Sequence, residues 1–405
     1  MKLSSGVVNI ALVSLVAATP LSSPNEPAGL EDRSNGYGDC EWHDDRCCRY
    51  QDSEYPSNDW DYPDVHEYKR TTIYVKYGKS IQAAIKSASR GDKIVVAAGP
   101  YAEQLTIDKD GIQLISHNAI IVPPANYVDN KCTGLAGPKT QVGICVTGSG
   151  IKLAKYVTEH RKVLSVKTPV NDVLVTGFQV KEFSGLNIAV VGARNARVTK
   201  NTLTDAGQYG ALTVGSFNTH FDENVVTSTV FGSIGICMDN QSGVLITQNH
   251  VSNQFVGLCV QTDKADVQYN HVSGSCFGIF VDPYVYGAKI RHNHVYKTNP
   301  ICKEIGFDAG IVIDGAIKTK VLDNTFENQK IGGKGTGIAL VDDECKSKPL
   351  SISCKAFGKK AVSSGNIILR NTMVKNDFDI FVDTVGKGNV IACNECSLPK
   401  ALCKS

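Results

Sequence analysis

Apolar residues recur along this chain in short alternating bursts, not at helical spacing. The clearest burst is FGIFV over 277–281. A polar turn opens at Asp282, and a second short strand closes on Asn293-His294-Val295. The same phrase appears as IGICMDNQSGVLITQNHV over 234–251, VGLCVQTDKADVQYNHV over 256–272 and GIVIDGAIKTKVLDNTF over 310–326. A looser copy, DIFVDTVGKGNVI, covers 379–391. Alternation with a period of two predicts half-buried strands. Aligning the closing asparagines Asn201, Asn224, Asn249, Asn270 and Asn293 gives intervals of 23, 25, 21 and 23 residues, and Asn324 and Asn371 continue the series. A repeat of about 20–30 residues built from strands predicts a parallel β-helix, one coil per repeat.

Adjacent coils of such a solenoid lie about 4.8 Å apart and pair as parallel strands. Each column should therefore repeat one kind of side chain. Ile188, Leu212, Ile236, Leu258, Ile279, Ile311, Ile338 and Ile380 are expected to stack inside. Val190, Val214, Met238, Val260, Val281, Ile313 and Val382 should stack two positions on. The asparagines are expected to form a side-chain amide ladder at a turn. The excess length at 298–309 and 342–364 marks two loops, both containing cysteine. Loops on a solenoid gather on its binding face.

Ahead of the repeats, Ile81, Ala84, Ile85 and Ala88 fall at helical spacing after Ser80, a good N-cap. The helix should end before Gly91. Strands are expected at Ile94–Val96 and Leu105–Ile107, with a turn at Gly99-Pro100. A short amphipathic helix there would cap the first coil. The expected organisation is thus a signal peptide over 1–18, an acidic leader over 19–70 and a β-helix domain over 71–405. The signal peptide rests on Lys2 and the apolar run Val7–Ala18. The leader ends in Lys69-Arg70, a dibasic processing pattern, and contains Cys40, Cys47 and Cys48.

Composition adds a compartment and a charge split. Fourteen cysteines suit an oxidising, extracellular location. Cys132 with Cys145, Cys345 with Cys354, and Cys237 with Cys259 are possible pairs, and Cys393, Cys396 and Cys403 look like C-terminal staples. Asn240-Gln241-Ser242 is a glycosylation sequon. No later apolar run is long enough to span a bilayer. The formal charge of +2 divides into −8 over residues 25–70 and +9 over 71–405. A basic body favours an acidic partner such as a polyuronate. Its dispersed basic residues argue against nucleic acid. A monomer without membrane association is expected.

In its opening helix-strand pattern and these coils, the chain resembles the pectin-lyase-like superfamily, and its secreted fungal members in particular, over roughly residues 73–395. The resemblance implies an all-β fold, a right-handed parallel β-helix with an N-terminal capping helix. That superfamily hosts lyases, hydrolases, epimerases, esterases and non-catalytic adhesins, so the fold alone names no reaction.

Two constellations carry candidate chemistry. The first is an aspartate column after the inner strands: Gly192, Gly215, Asp239, Gln261, Asp282, Asp314 and Asp383, with Asp342 and Asp343 near the same height. Stacked carboxylates can divide into an acid and a base, or hold calcium through Asp239, Asp282 and Asp314. Equally, Asp here can simply form a turn. The second is Asp282-Pro283-Tyr284 with Tyr286, Lys289 and Arg291. It resembles the Asp-Pro-His-Asp site of mannuronan C5-epimerases, with Tyr284 in place of His and Val285 in place of the second Asp. A cation from Lys289 or Arg291 would neutralise a uronate carboxylate, and a tyrosine would move the C5 proton. His250, His271 and His294 form a histidine row. The polygalacturonase, pectin methylesterase and pectate lyase signatures are absent.

Three readings follow. The leading one is a lyase or epimerase acting on an acidic, uronate-containing polysaccharide. Its catalytic residues would be Asp282, Tyr284, Tyr286, Lys289, Arg291 and Asp314, and its substrate-binding residues Asp239, Gln261 and His294. The others are a non-catalytic wall or host-surface glycan binder and a glycoside hydrolase using paired Asp.

Overall fold

The computed structural model describes residues 70–346 and 350–403. The expected signal peptide and the leader up to Lys69, with its three cysteines, lie outside the described residues.

Strands stack coil upon coil into a right-handed parallel β-helix with three faces. The first face runs from Thr72–Val75 through Lys93–Val96 and Asp266–Gln268 to Val390–Ala392. The second and third faces form one continuous sheet, because Val225–Asp239 and His250–Val260 pass around their common corner without a break. The third face includes Val142–Thr147, Leu186–Val191, Tyr209–Val214, Phe277–Val281, Asp308–Asp314, Gly335–Val341 and Phe378–Asp383. The helix Ile81–Ser87 caps the first coil. Ser80 accepts a hydrogen bond from the Ala83 amide, and Ile81 and Ile85 are buried. Gly99–Ala102 is a strand and not the expected turn, pairing with Ala119–Val122.

The inner column on the third face is Ile144, Ile188, Ala211, Ile236, Leu258, Ile279, Ile311, Ile338 and Ile380. Ala211 and Thr213 replace the expected Leu212 and Val214, a slip of one residue in that coil. The slip is tolerated because the outer side of this face is apolar as well. Leu212 and Val214 pack there with Ala189, Cys237 and Cys259 in a second buried cluster. Chain excursions cover that cluster, and apolar side chains on both sides blur the alternation from which register is read.

Asparagine closes each coil as expected. The Asn201 backbone and side-chain amides both donate to Asn224 Oδ1, at 3.0 and 3.1 Å. The pattern repeats through Asn249, Asn270, Asn293, Asn324 and Asn371 to Asn394. The residue before each ladder asparagine turns the corner at positive φ, from Lys200 to Arg370. At the corner between the second and third faces the chain passes too close to the next coil for a side chain. A Cβ on Gly278 would lie 2.5 Å from the Gly310 carbonyl oxygen and against Val295.

Disulfides pin the excursions: Cys132–Cys145, Cys276–Cys302 and Cys345–Cys354, with Cys396–Cys403 at the C-terminal end. Cys237–Cys259 joins neighbouring coils along one column. The asparagine of the sequon is buried in the folded chain. Asn240 is 7% exposed, its side chain held by Thr213, Thr219 and the Gly243 carbonyl.

Candidate functional site

Where the third face ends, the outward position is Val191, Val214, Asp239, Gln261, Asp282, Asp314, Val341 and Asp383. The expected column is therefore real from Asp239 to Asp314. Gly192, Gly215, Asp342 and Asp343 fall one or two residues beyond it, with Val191, Val214 and Val341 in their places. Asp342 and Asp343 are anchors: Asp342 accepts from Ser363, Thr384 and Val385, and Asp343 from Cys345 and Ser351.

Over this column hangs a hairpin. Lys152–Leu153 and Val163–Ser165 pair antiparallel, and the turn between them contains Tyr156, Glu159, His160 and Lys162. Lys162 Nζ lies 3.0 Å from Asp239 and 2.6 Å from Gln261 Oε1. Gln261 Nε2 donates to Glu159 at 2.9 Å. Buried His160 bridges Asp239 (Nε2, 3.1 Å) and the Tyr209 hydroxyl (Nδ1, 3.2 Å). Burial raises the Tyr209 phenol well above its ordinary range, with Glu159 adding to the effect. The phenol is thus the donor to Nδ1, and Nε2–H donates to the carboxylate.

These surroundings divide the carboxyls. Burial pushes Asp239 up, but the His160 and Lys162 hydrogen bonds and charges outweigh it and hold the carboxyl below its ordinary range. Burial drives Asp282 well above that range, helped by the Glu159 and Asp314 charges and opposed by Lys162 and Gln261. Asp314 is also driven well up, by burial and then by Asp343 and Asp342 across the column. Asp282 and Asp314 are 6% and 7% exposed. Asp282 Oδ2 lies 3.7 Å from Cys259 Sγ, a disulfide sulfur with no proton to give.

The other expected site residues are not at the column. The Tyr284 hydroxyl donates to the Lys359 and Lys360 carbonyls and its ring meets Phe357, so it pins the 342–366 excursion. Tyr286 lies at the surface beneath Lys318, its amide bonded to Asp263. Lys289 and Arg291 belong to the first face, where Arg291 pairs with Asp266. His294 stands on the second face, in the row with His250 and His271 and 3.5 Å from Glu327. The second strand of the repeat turns a corner after Asp282, and that corner separates Asp282 from its downstream cations.

Asp239, Asp282 and Asp314 do not converge as calcium ligands would. Among the described residues, the acid, histidine and cysteine donors that lie within 4.8 Å of one another are Asp343, Cys345 and Cys354. Those two cysteines are joined as a disulfide.

The sequence reading missed Glu159, His160, Lys162 and Tyr209. One signal was available: Ile144 pairs with Ile188, an interval of about two coils, so an inserted excursion lies between them. Nothing in the sequence aims that excursion at the acid column.

Residues 184–349 match the family described as a right handed beta helix region. No curated protein sequence matches the chain. Similar solved structures include the Mannuronan C-5 epimerase AlgE4 A-module of Azotobacter vinelandii, 15% identical, covering 79% of this chain and 93% of that one, TM-score 0.48. The family 28 exopolygalacturonase of Yersinia enterocolitica is 12% identical over 81% and 79% of the two chains, TM-score 0.46. The DFA-IIIase of Arthrobacter chlorophenolicus A6, without its lid, is 15% identical over 87% and 77%, TM-score 0.46.

Proposed function

We propose that this β-helix protein is a carbohydrate-active enzyme that hydrolyses glycosidic bonds with Asp282 as general acid and Asp239 as general base. One observation carries the reading: two carboxyls of a single column have acidities driven in opposite directions. Asp282 is raised by burial, and Asp239 is lowered by His160 and Lys162. Carboxyls whose environments push them apart are the mark of an acid–base pair. At neutral pH Asp282 holds a proton to give to the leaving oxygen, while ionised Asp239 can take one from water.

The spacing supports inversion. Asp239 and Asp282 are separated by one intervening coil, that of Gln261, hence by about 9–10 Å along the axis at the usual strand spacing. That is close to the separation of about 6.5–9.5 Å that leaves room for a water in inverting enzymes. Asp314 sits one coil beyond Asp282, and burial followed by the Glu159 charge keeps Asp282 protonated. Tyr209 and His160 are buried behind Asp239 and act as positioning residues.

Uronate elimination or epimerisation, the leading sequence reading, needs a cation on the substrate carboxylate. The residues expected to supply it, Lys289 and Arg291, lie on the first face. The deciding assay measures reducing ends and unsaturated-uronate absorbance side by side on a polysaccharide panel. Reducing ends without absorbance, with proton NMR showing inverted anomers, are expected. Absorbance would return the site to lyase chemistry, and binding without turnover would make the protein a glycan binder.

A further inference from the structure

We infer that the acidic leader docks as a strap along the outer side of the first face and is locked there by a disulfide between Cys393 and Cys47 or Cys48. The inference is independent of the hydrolase reading. It makes the first face a docking surface for residues 49–68 of this same chain.

Cysteine parity points to the bond. The chain has fourteen cysteines, and the five disulfides use ten of the eleven that follow the leader. Cys393 is the eleventh, and the leader supplies Cys40, Cys47 and Cys48. Cys47 and Cys48 are adjacent in sequence, and Cα atoms about 3.8 Å apart are too close for ordinary disulfide geometry. Cys40 therefore takes one of them and Cys393 the other. Such bonds form by thiol–disulfide exchange in an oxidising compartment, each pair of thiols passing two protons and two electrons to a disulfide oxidant.

The two ends of the strap meet the two ends of one face. Arg70 comes just before Thr72–Val75, the first strand of that face, and Cys393 directly follows Val390–Ala392, its last. Twelve described strands at about 4.8 Å make the face about 53 Å long. The 22 residues after Cys48, up to Arg70, span up to about 73 Å when extended, so the strap is long enough.

Between those ends the surface suits the segment. Its outward positions hold five lysines and arginines, Lys289, Arg291 and Lys320 among them, against Asp222 and Asp266, a net of +3. Residues 49–68 hold six carboxylates and one arginine, a net of −5, with four tyrosines and Trp60. Opposite charge draws the two together. Leu245 and Leu322 also point outward, yet they are 7% and 6% exposed and belong to neither buried apolar cluster. Aromatic side chains of the strap are the apolar cover such leucines call for. Cutting after Lys69-Arg70 would then not release the leader. The processed protein would be two chains joined by one disulfide.

The test is a disulfide map of the full chain, expressed through a secretory pathway and digested with trypsin without reduction. Expected is one linked cluster holding residues 34–46, 47–49 and 388–400, which carry Cys40, Cys47-Cys48 and Cys393. A Cys393 that alkylates as a thiol, or one joined to Cys393 of a second copy, would overturn the bond. Docking is read separately. A carbodiimide should cross-link leader carboxylates to Lys289 or Lys320 in the parent. In Cys393→Ser, cut by a dibasic-specific endoprotease, the leader should co-elute with the body in gel filtration at low salt and separate at high salt. The parent, cut in the same way, should release it only on reduction. Absent cross-links, or separation from Cys393→Ser at low salt, would overturn the docking.

Discussion

His160 Nε2 lies 3.1 Å from the Asp239 carboxylate, and the imidazole is fully buried behind it. Nearly 80 residues of chain separate the two, and a hairpin brings them together over one end of the third face. The bond does two things: it fixes the carboxylate, and it counters the upward push of burial on its acidity. In His160→Ala, Lys162 alone opposes burial, and Asp239 protonates at higher pH than in the parent. The acid limb of the kcat/KM profile should therefore move up in pH. A loss of activity with an unmoved limb would reduce His160 to a packing residue. Leaving the buried Tyr209 hydroxyl unpaired, with Lys162 still on the carboxylate, should also cost about 1–3 kcal/mol in chemical denaturation.

The asparagine ladder makes a graded prediction. Asn270 accepts from both Asn249 amides and donates to Ile246, Gln268 and Asn293. Asn394, at the end, accepts from Asn371 and donates only to the Ile368 carbonyl. Replacing a central rung orphans more buried groups than replacing the last. Asn270→Ala should cost roughly 3–5 kcal/mol, and Asn394→Ala about half as much. Equal losses in urea titrations would mean that the ladder is not cooperative.

Such ladders explain why so much of the fold is legible in sequence. A solenoid repeats one environment at every coil, so Asn201 through Asn371 and the Ile236–Ile380 column declare themselves by spacing. Legibility fails where both sides of a strand are apolar, as at Leu212 and Val214, because alternation then carries no register. The site was half legible. Asp239, Gln261, Asp282 and Asp314 belong to the repeat and could be aligned. Glu159, His160 and Lys162 sit on a non-repeating excursion, and only tertiary packing brings them over the column. Tyr284, Lys289 and Arg291 lie close to Asp282 in sequence, but closeness in sequence says nothing about which face a residue decorates.

Asp308 gives a stability prediction independent of activity. Burial raises its pKa from 3.8 to about 8, against a hydrogen bond from Thr298 and with Asp377 pushing the same way. Between those values the folded state keeps a proton that the unfolded chain has lost. Stability should therefore fall as pH rises from about 4 to about 8 and level off above, by on the order of 5 kcal/mol from this group alone. Asp308→Asn removes the contribution. Its denaturation midpoint should exceed that of the parent near pH 8 and converge with it near pH 4. Parallel curves for the two proteins would mean that Asp308 ionises normally.

Asp282 offers the sharpest division between stability and chemistry. At neutral pH its side chain is a neutral acid, which an amide matches in size and in charge. Asp282→Asn should accordingly fold as well as the parent. It should gain relative stability as pH rises, because the parent's raised carboxyl loses folding free energy above the unfolded value while the amide does not. An amide cannot donate a proton to a leaving oxygen, so kcat should fall by about 10²–10⁴-fold. Substrates with a leaving group that needs no protonation, such as aryl glycosides of acidic phenols, should recover most of that loss. Asp239→Asn should abolish turnover for both kinds of substrate, because the attacking water still needs its base. If Asp282→Asn turns over unactivated glycans at the parental rate, Asp282 is not the acid.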